Sequence, residues 1–203
     1  MYPVVEQGRL LTLREFTEAD VDALFGIYGD PVATRHLSFE PRTHDQVEAI
    51  VERSIESAMT GPRVEYALAA VENASNCLVG TWRLAYAPIS AAPPSAVGTL
   101  GDTAQFGCAL TAQMWCKGYG SEGTRLILKL AFDRLGLRTV WGARGPENDA
   151  SAALMQRLGF EDVQVFRDHI IKNGKPRDSI AAMLSVGSWH ASHGVDQHDE
   201  IGS

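Results

Sequence analysis

Cysteine is scarce and unpatterned in this chain: Cys77, Cys108 and Cys116 are the only three, and none falls in a Cys-x-x-Cys spacing. That argues against a disulfide framework and against a zinc site, and leaves Cys116 as a thiol beside a glycine-rich turn. Positive charge is also in deficit, with 18 Lys and Arg against 25 Asp and Glu, a formal net charge of −7. A general nucleic-acid binder needs a basic face, so nucleic acid is not an expected partner. A cationic partner such as an amine is mildly favoured. No run approaches the roughly 18 uncharged apolar residues of a membrane span, and no membrane partner is expected. Residues 1–6 have neither the basic start nor the apolar stretch of a signal peptide, and the expectation is a cytoplasmic location. The 6 histidines show no ligand-like spacing beside a carboxylate, so no metal is expected.

What is present is a chain of 203 residues, 45% apolar and 21% charged, enough for one soluble domain with a substantial core. Residues 9–14 alternate as a first strand. Thr17-Glu18-Ala19-Asp20 reads as a capping box ahead of a helix carrying Val21, Leu24, Phe25 and Tyr28, which Gly29-Asp30-Pro31 ends. A second helix is predicted after Thr43, with Val47, Ile50, Val51, Ile55 and Met59 on one face. Strands follow at 66–71 and 78–86 around a turn-rich 72–76. Residues 88–102, rich in Pro, Ala, Ser and Gly, read as a long excursion within one domain. Next come a strand at 104–110, a helix at 121–135, a strand at 138–143 and a helix at 151–158 stopped by Gly159. Strands at 163–171 and 178–186 complete the pattern, and residues 187–203 are expected to be a disordered tail.

The most informative stretch is Trp115-Cys116-Lys117-Gly118-Tyr119-Gly120-Ser121, between a predicted strand and a predicted helix. Such a junction offers unpaired backbone N–H groups at the positive end of a helix dipole, which suits a phosphate. Gly118 and Gly120 allow close approach, Lys117 adds charge, and Ser121 adds a hydroxyl and an expected N-cap. The turn is neither a Walker A loop nor a Rossmann fingerprint, since Gly-Lys-Ser/Thr and the third glycine are absent. On its own it could equally be a tight connection that binds nothing.

A second stretch, Pro146-Glu147-Asn148-Asp149-Ala150-Ser151 leading to Met155-Gln156-Arg157-Leu158-Gly159-Phe160, follows the turn at a characteristic distance. With Leu11-Thr12-Leu13-Arg14, Asp20, Tyr28-Gly29-Asp30-Pro31 and Asp178, the chain from 9 to 186 resembles the GNAT N-acetyltransferases, in particular the RimJ/RimL-like branch. The resemblance implies a mixed α/β fold: a mostly antiparallel sheet of six to seven strands, splayed between strands 4 and 5 and flanked by four helices. It implies acetyl-CoA as acyl donor, without a metal. Cys108, Ala109 and Leu110 would offer backbone groups to the pantetheine arm, and Lys117, Gly118, Tyr119, Gly120 and Ser121 would hold the pyrophosphate, next to Trp115 and Cys116. Trp115 replaces the family's usual Gln or Arg, a substitution shared with RimJ/RimL-like members. Asn148 corresponds to the pantetheine-binding Asn, and Ser151 to the residue near the thiol that could protonate the leaving thiolate. Both also suit a plain helix start. Met155 stands where many members carry a proton-donating Tyr, and a thioether cannot replace it.

The implied reaction is direct attack of an unprotonated amine on the thioester. An alkylammonium must first lose a proton, and relatives often supply a Glu on the fourth strand, where this chain reads Gln105-Phe106-Gly107. Glu40, Glu65, His36 and Asp178 are the candidate bases. Trp82 and Tyr86, with Glu40, are candidates for an acceptor groove; aromatics in a strand are otherwise core. The expected acceptor is a small-molecule amine such as an antibiotic, polyamine or amino acid. The alternatives are a protein N-terminus, a non-catalytic acyl-CoA-binding module, or a structural domain whose turn binds nothing. A homodimer is left open.

Overall fold

The computed structural model describes residues 1–86 and 102–193. Eight strands form one sheet in the order β1-β2-β3-β4-β5-β6-β8-β7. The strands are β1 Val5–Gln7, β2 Leu11–Glu15, β3 Glu65–Glu72, β4 Leu78–Tyr86, β5 Thr103–Leu110, β6 Thr139–Arg144, β7 Glu161–Lys172 and β8 Lys175–Ser185. The helices are α1 Val21–Tyr28, α2 His44–Met59, α3 Tyr119–Lys129, α4 Asp149–Arg157 and α5 Val186–His193, and α3 runs on through a π-helical turn at Leu130–Arg134. The mixed α/β architecture is as expected. β1 and α5 are additions to the six to seven strands and four helices read from the sequence. The expected tail therefore begins as a helix, with Trp189 buried against Phe132. The rest of the tail, and the 88–102 excursion up to residue 101, lie outside the described residues.

All neighbouring strands are antiparallel except β5 and β6, which run parallel and pair only over Thr103–Gln105 with Thr139–Trp141. Beyond Gln105 the two strands have no common partners, and the sheet opens. This is the expected splay, since β5 and β6 are the fourth and fifth strands once β1 is set aside. Every later feature of the site depends on this opening.

Strand alternation sorts the sheet into two faces. On β4, Trp82 and Leu84 point into the main core with Leu126, Ile127 and Leu130 of the third helix and Met155 and Leu158 of the fourth. Thr81 and Arg83 point the other way, towards α1 and α2, where Leu24, Val47 and Val51 pack with Phe16 and Ala69. Gly123 is what lets α3 lie on Trp82: a Cβ there would come within 2.4 Å of the indole. Trp82 Nε1 donates to Thr124 Oγ1 at 3.1 Å, which fixes the ring under the helix.

The Thr17–Asp20 box forms as read, with Asp20 accepting from the Thr17 N–H at 2.8 Å. Asp20 also takes both ends of the Arg14 guanidinium, at 2.7 and 2.8 Å. Burial pushes the Asp20 carboxyl up, but the bonds from Arg14 and Thr17 outweigh it and leave it below its ordinary range. A depressed carboxylate adds stability above its unfolded pKa, and that stability is lost as pH falls through the lower folded value. Asp20→Asn should lower unfolding free energy by about 2 kcal/mol at neutral pH, a figure discounted because Arg14 is partly exposed. The deficit should shrink below about pH 4; urea titrations at both pH values measure it.

Candidate active site

After β5 the chain passes through a short turn of helix at Ala112–Met114 and then two left-handed residues, Cys116 (φ 58°) and Gly118 (φ 90°), which swing it into α3. Gly118, not Ser121, is therefore the N-cap, and Ser121 is the third helical residue. The first helical bond is Glu122 N–H to the Gly118 carbonyl at 3.0 Å. The N–H groups of Tyr119, Gly120 and Ser121 precede it and have no protein acceptor among the described residues. Lys117 is exposed beside them. Two contacts hold this turn in place. Glu122 Oε1 accepts the Leu10 and Leu11 N–H groups at 2.6 and 3.0 Å, and the buried Tyr119 side chain donates to Glu72. Tyr119 thus offers a ligand its backbone only. Trp115 donates Nε1 to the Leu110 carbonyl at 3.2 Å, and Arg35 stacks on its ring. That carbonyl, expected to meet pantetheine, already has an acceptor role in the turn.

The open part of the sheet is a cleft of about 570 Å³. Its walls bring together Cys108, Ala109, Asn148 and Ser151, four of the residues expected at the cofactor, with Gln105 and Gly107 on the floor. Asn148 Oδ1 accepts the Ser151 N–H at 3.1 Å, so Asn148 is the N-cap of α4, a role the sequence also allowed for Ser151. Among the described residues the Ser151 hydroxyl's one hydrogen-bond contact is 4.0 Å to Met155 Sδ, which leaves the hydroxyl available to the cleft. Met155 is buried packing. Burial pushes the Cys108 thiol up to about 11, so it stays protonated at neutral pH. Tyr28 likewise is pushed up to about 12 by burial, and it lines the cleft as a neutral phenol.

The cleft continues into a second, of about 510 Å³, between α1, α2 and strands β3 and β4; Tyr28, Phe39, Thr81 and Arg83 line both. Three expected acceptor contacts are elsewhere. Trp82 is fully buried beneath α3, on the opposite face from Arg83. Tyr86 shares that face by alternation and packs on the same core. Glu40 is exposed and accepts the Asn173 N–H in the β7–β8 turn. Two candidate bases are tied up. Glu65 grips Arg83 at 2.6 Å, and Asp178 holds Arg167 and the Asp168 N–H. His36 does line the cleft, and its buried Nδ1 has no partner among the described residues. Burial foremost, then nearby Arg35, keeps its imidazole below the ordinary histidine range and so neutral at pH 7.

Sequence reasoning missed Phe39, Arg144 and His169 in the cleft wall, and Lys172 behind it. The Lys172 ammonium is buried and donates to the carbonyls of Thr34, Leu37 and Phe39 at 2.5, 2.9 and 3.0 Å. It pins the segment that carries His36 and Phe39. Outside the cleft, exposed His44, Asp45 and Glu48 lie close enough to share a cation, an i, i+4 pairing overlooked in the histidine spacing; His44 is held by Asp22 at 2.9 Å. Among the described residues no helix is long and apolar enough to cross a membrane.

A sheet opened between parallel strands, with helix N–H groups unpaired among the described residues and a cleft running through it, has a form that suits a phosphate-bearing carrier beside a second substrate. The sequence profile of the acetyltransferase (GNAT) domain matches residues 10–161, and the chain belongs to this family of acyl-CoA-dependent acetyltransferases. The uncharacterized N-acetyltransferase YoaA of Bacillus subtilis (strain 168) is 25% identical over 187 residues, covering 88% of this chain and 94% of the relative. The fold is shared with a spermidine N-acetyltransferase from Vibrio cholerae in complex with CoA and spermine, at TM-score 0.73 and 16% identity, covering 89% of this chain and 98% of that one. It is shared too with a Vibrio cholerae protein proposed to be a ribosomal-protein-serine acetyltransferase, at TM-score 0.71 and 19% identity, covering 91% and 99%.

Proposed function

We propose that this N-acetyltransferase, of the RimJ/RimL-like branch, acetylates the primary amine of a small molecule by direct transfer from acetyl-CoA. The observation that carries the proposal is the continuity of the β5–β6 opening with the cleft under α1 and α2. One substrate can enter from the Gly118 turn and the other from the α2 side, and they meet near Ser151. The residues fit acetyl-CoA. The N–H groups of Tyr119, Gly120 and Ser121, with Lys117, face an anion. The diverging strand edges and the Asn148 amide suit the pantetheine arm, and Cys108 and Ala109 border it. The thioester supplies an activated acyl group.

His36 takes the proton from the incoming ammonium. The amine nitrogen then bonds to the acyl carbon, the carbon–sulfur bond breaks, and the proton shed by the new amide nitrogen passes to the thiolate through the Ser151 hydroxyl or a water, either of which gives one proton and takes one. A small acceptor is favoured over a peptide because Lys172 pins the 34–39 segment across the acceptor side of the cleft. His36→Gln should lower kcat roughly a hundredfold while leaving acetyl-CoA affinity unchanged. In the wild type kcat/KM should fall only on the acid side of the ordinary histidine range, where the His36 imidazole, held down by burial and Arg35, becomes protonated, and the variant should lose that acid limb. Steady-state kinetics on a panel of small amines and short peptides tests both points. Preferential turnover of peptides, or a His36→Gln variant with the wild-type profile, would sink this reading.

A further inference from the structure

The charge carried by the acceptor can be read from the wall of the second cleft. The chain as a whole is acidic, at −7, yet the charged residues lining this cleft are Arg53, Arg83 and Glu65, beside the neutral Tyr28. The one carboxylate is engaged: Glu65 receives Arg83 Nε and Nη2 at 2.6 and 3.2 Å, and Nη1 of Arg83 has no acceptor among the described residues. Arg53 has no hydrogen-bond, ion-pair or ring partner among the described residues, although Glu56 stands three positions along the same helix. Ile50, Arg53, Ser54 and Ser57 recur at i, i+3, i+4 and i+7 and so form one stripe of α2 on the cleft. That stripe turns from apolar at Ile50 to a guanidinium and two hydroxyls. The Ser54 hydroxyl donates to the Ile50 carbonyl at 2.8 Å, while the Ser57 hydroxyl has no partner among the described residues. Opposite Arg83 on β5 stands Gly107, where a Cβ would meet nothing within 4 Å, so the floor before the guanidinium is open.

A bound polyamine needs free carboxylates along its length, and among the described residues this wall presents none. It presents guanidinium and hydroxyl donors, which match a carboxylate. Resting on the small-molecule reading above, we propose that Arg53, Ser57 and Arg83 form a subsite for an anionic group on the acceptor, so that the substrate is an amine that also carries a carboxylate, of the amino-acid class. The deficit of positive charge in the whole sequence pointed towards a cationic partner. The local charge reverses that inference.

The test compares three acceptors of equal chain length: aminopentanoate, aminopentanol and cadaverine. The wild type should prefer aminopentanoate over cadaverine by roughly tenfold or more in kcat/KM, with the difference in KM. In Arg53→Gln the ratio of aminopentanoate to aminopentanol should fall about tenfold, and Arg53→Glu should move preference towards cadaverine. Preference for cadaverine in the wild type, or an unchanged ratio in Arg53→Gln, would overturn the subsite. Glutarate binding to wild type and Arg53→Gln by calorimetry gives a readout that needs no turnover. Equal affinity, or no binding to either, overturns the subsite. Failure to acetylate any amine while glutarate discriminates between the two proteins counts against the acceptor reading alone.

Discussion

Replacing Lys172 by Met should reduce kcat/KM for the acceptor by roughly thirtyfold or more and lower the unfolding free energy by about 3 kcal/mol, while acetyl-CoA affinity stays within about twofold. The Lys172 ammonium is the shared donor for three carbonyls of the 34–39 segment, and hydrogen bonds from a charged donor contribute about 1.5–3 kcal/mol each in general. Met fills similar volume but leaves those carbonyls without a donor in a buried place. The segment would then sample positions in which His36 and Phe39 no longer wall the cleft. The Gly118 turn, proposed to hold the pyrophosphate, meets this segment through Arg35 on Trp115 but is anchored by Glu122 and Tyr119, so the loss should fall mainly on the acceptor side. Calorimetry with acetyl-CoA and kinetics with varied acceptor separate the two. Equal damage to both substrates would mean that Lys172 supports the fold generally and does not position the acceptor wall.

Gly118→Val should weaken acetyl-CoA binding by roughly ten- to a hundredfold. At φ 90° a β-branched residue is strained by about 1–3 kcal/mol, and the chain relieves that strain by moving the turn. Movement there re-aims the N–H groups of Tyr119, Gly120 and Ser121 that would face the pyrophosphate. Gly120→Ala is the matched control. Its Cβ would rest 3.7 Å from Leu154 and 3.8 Å from Leu110, ordinary contact, so affinity should change no more than about threefold. A thermal melt checks that Gly118→Val remains folded.

Much of the fold was legible because its signals are local. Apolar spacing marked α1 and α2, and alternation marked the strands from β2 onwards. β1 was missed because three residues at a sheet edge carry too little pattern, although Val5 to Gln7 pair fully with β2. α5 was missed because Gly187 and Ser188 break any periodicity, and the helix is held largely by Trp189 docking on Phe132. The caps moved because backbone conformation decided them: the left-handed Gly118 starts α3 before Ser121, and Asn148 starts α4 before Ser151.

The site was legible only in part. Glycines and the Asn148–Ser151 spacing point to the cofactor side because those residues are close in sequence. The acceptor side is assembled from distant segments. Lys172 and Thr34 lie 138 positions apart, and no local pattern shows that a lysine will be buried against carbonyls. Alternation placed Trp82 on one face of β4 but could not tell which face a helix would cover, so a core tryptophan was read as a groove. Arg83, on the other face, is the residue that lines it.

The most direct measurement is mass spectrometry of both acceptor and intact protein after incubation with acetyl-CoA and the amine panel. Direct transfer in the β5–β6 opening predicts an acceptor heavier by one acetyl group, free CoA in equal amount, and a protein of unchanged mass. An acetylated protein that passes its group on to the amine, or acetyl-CoA left intact beside every acceptor, would contradict it.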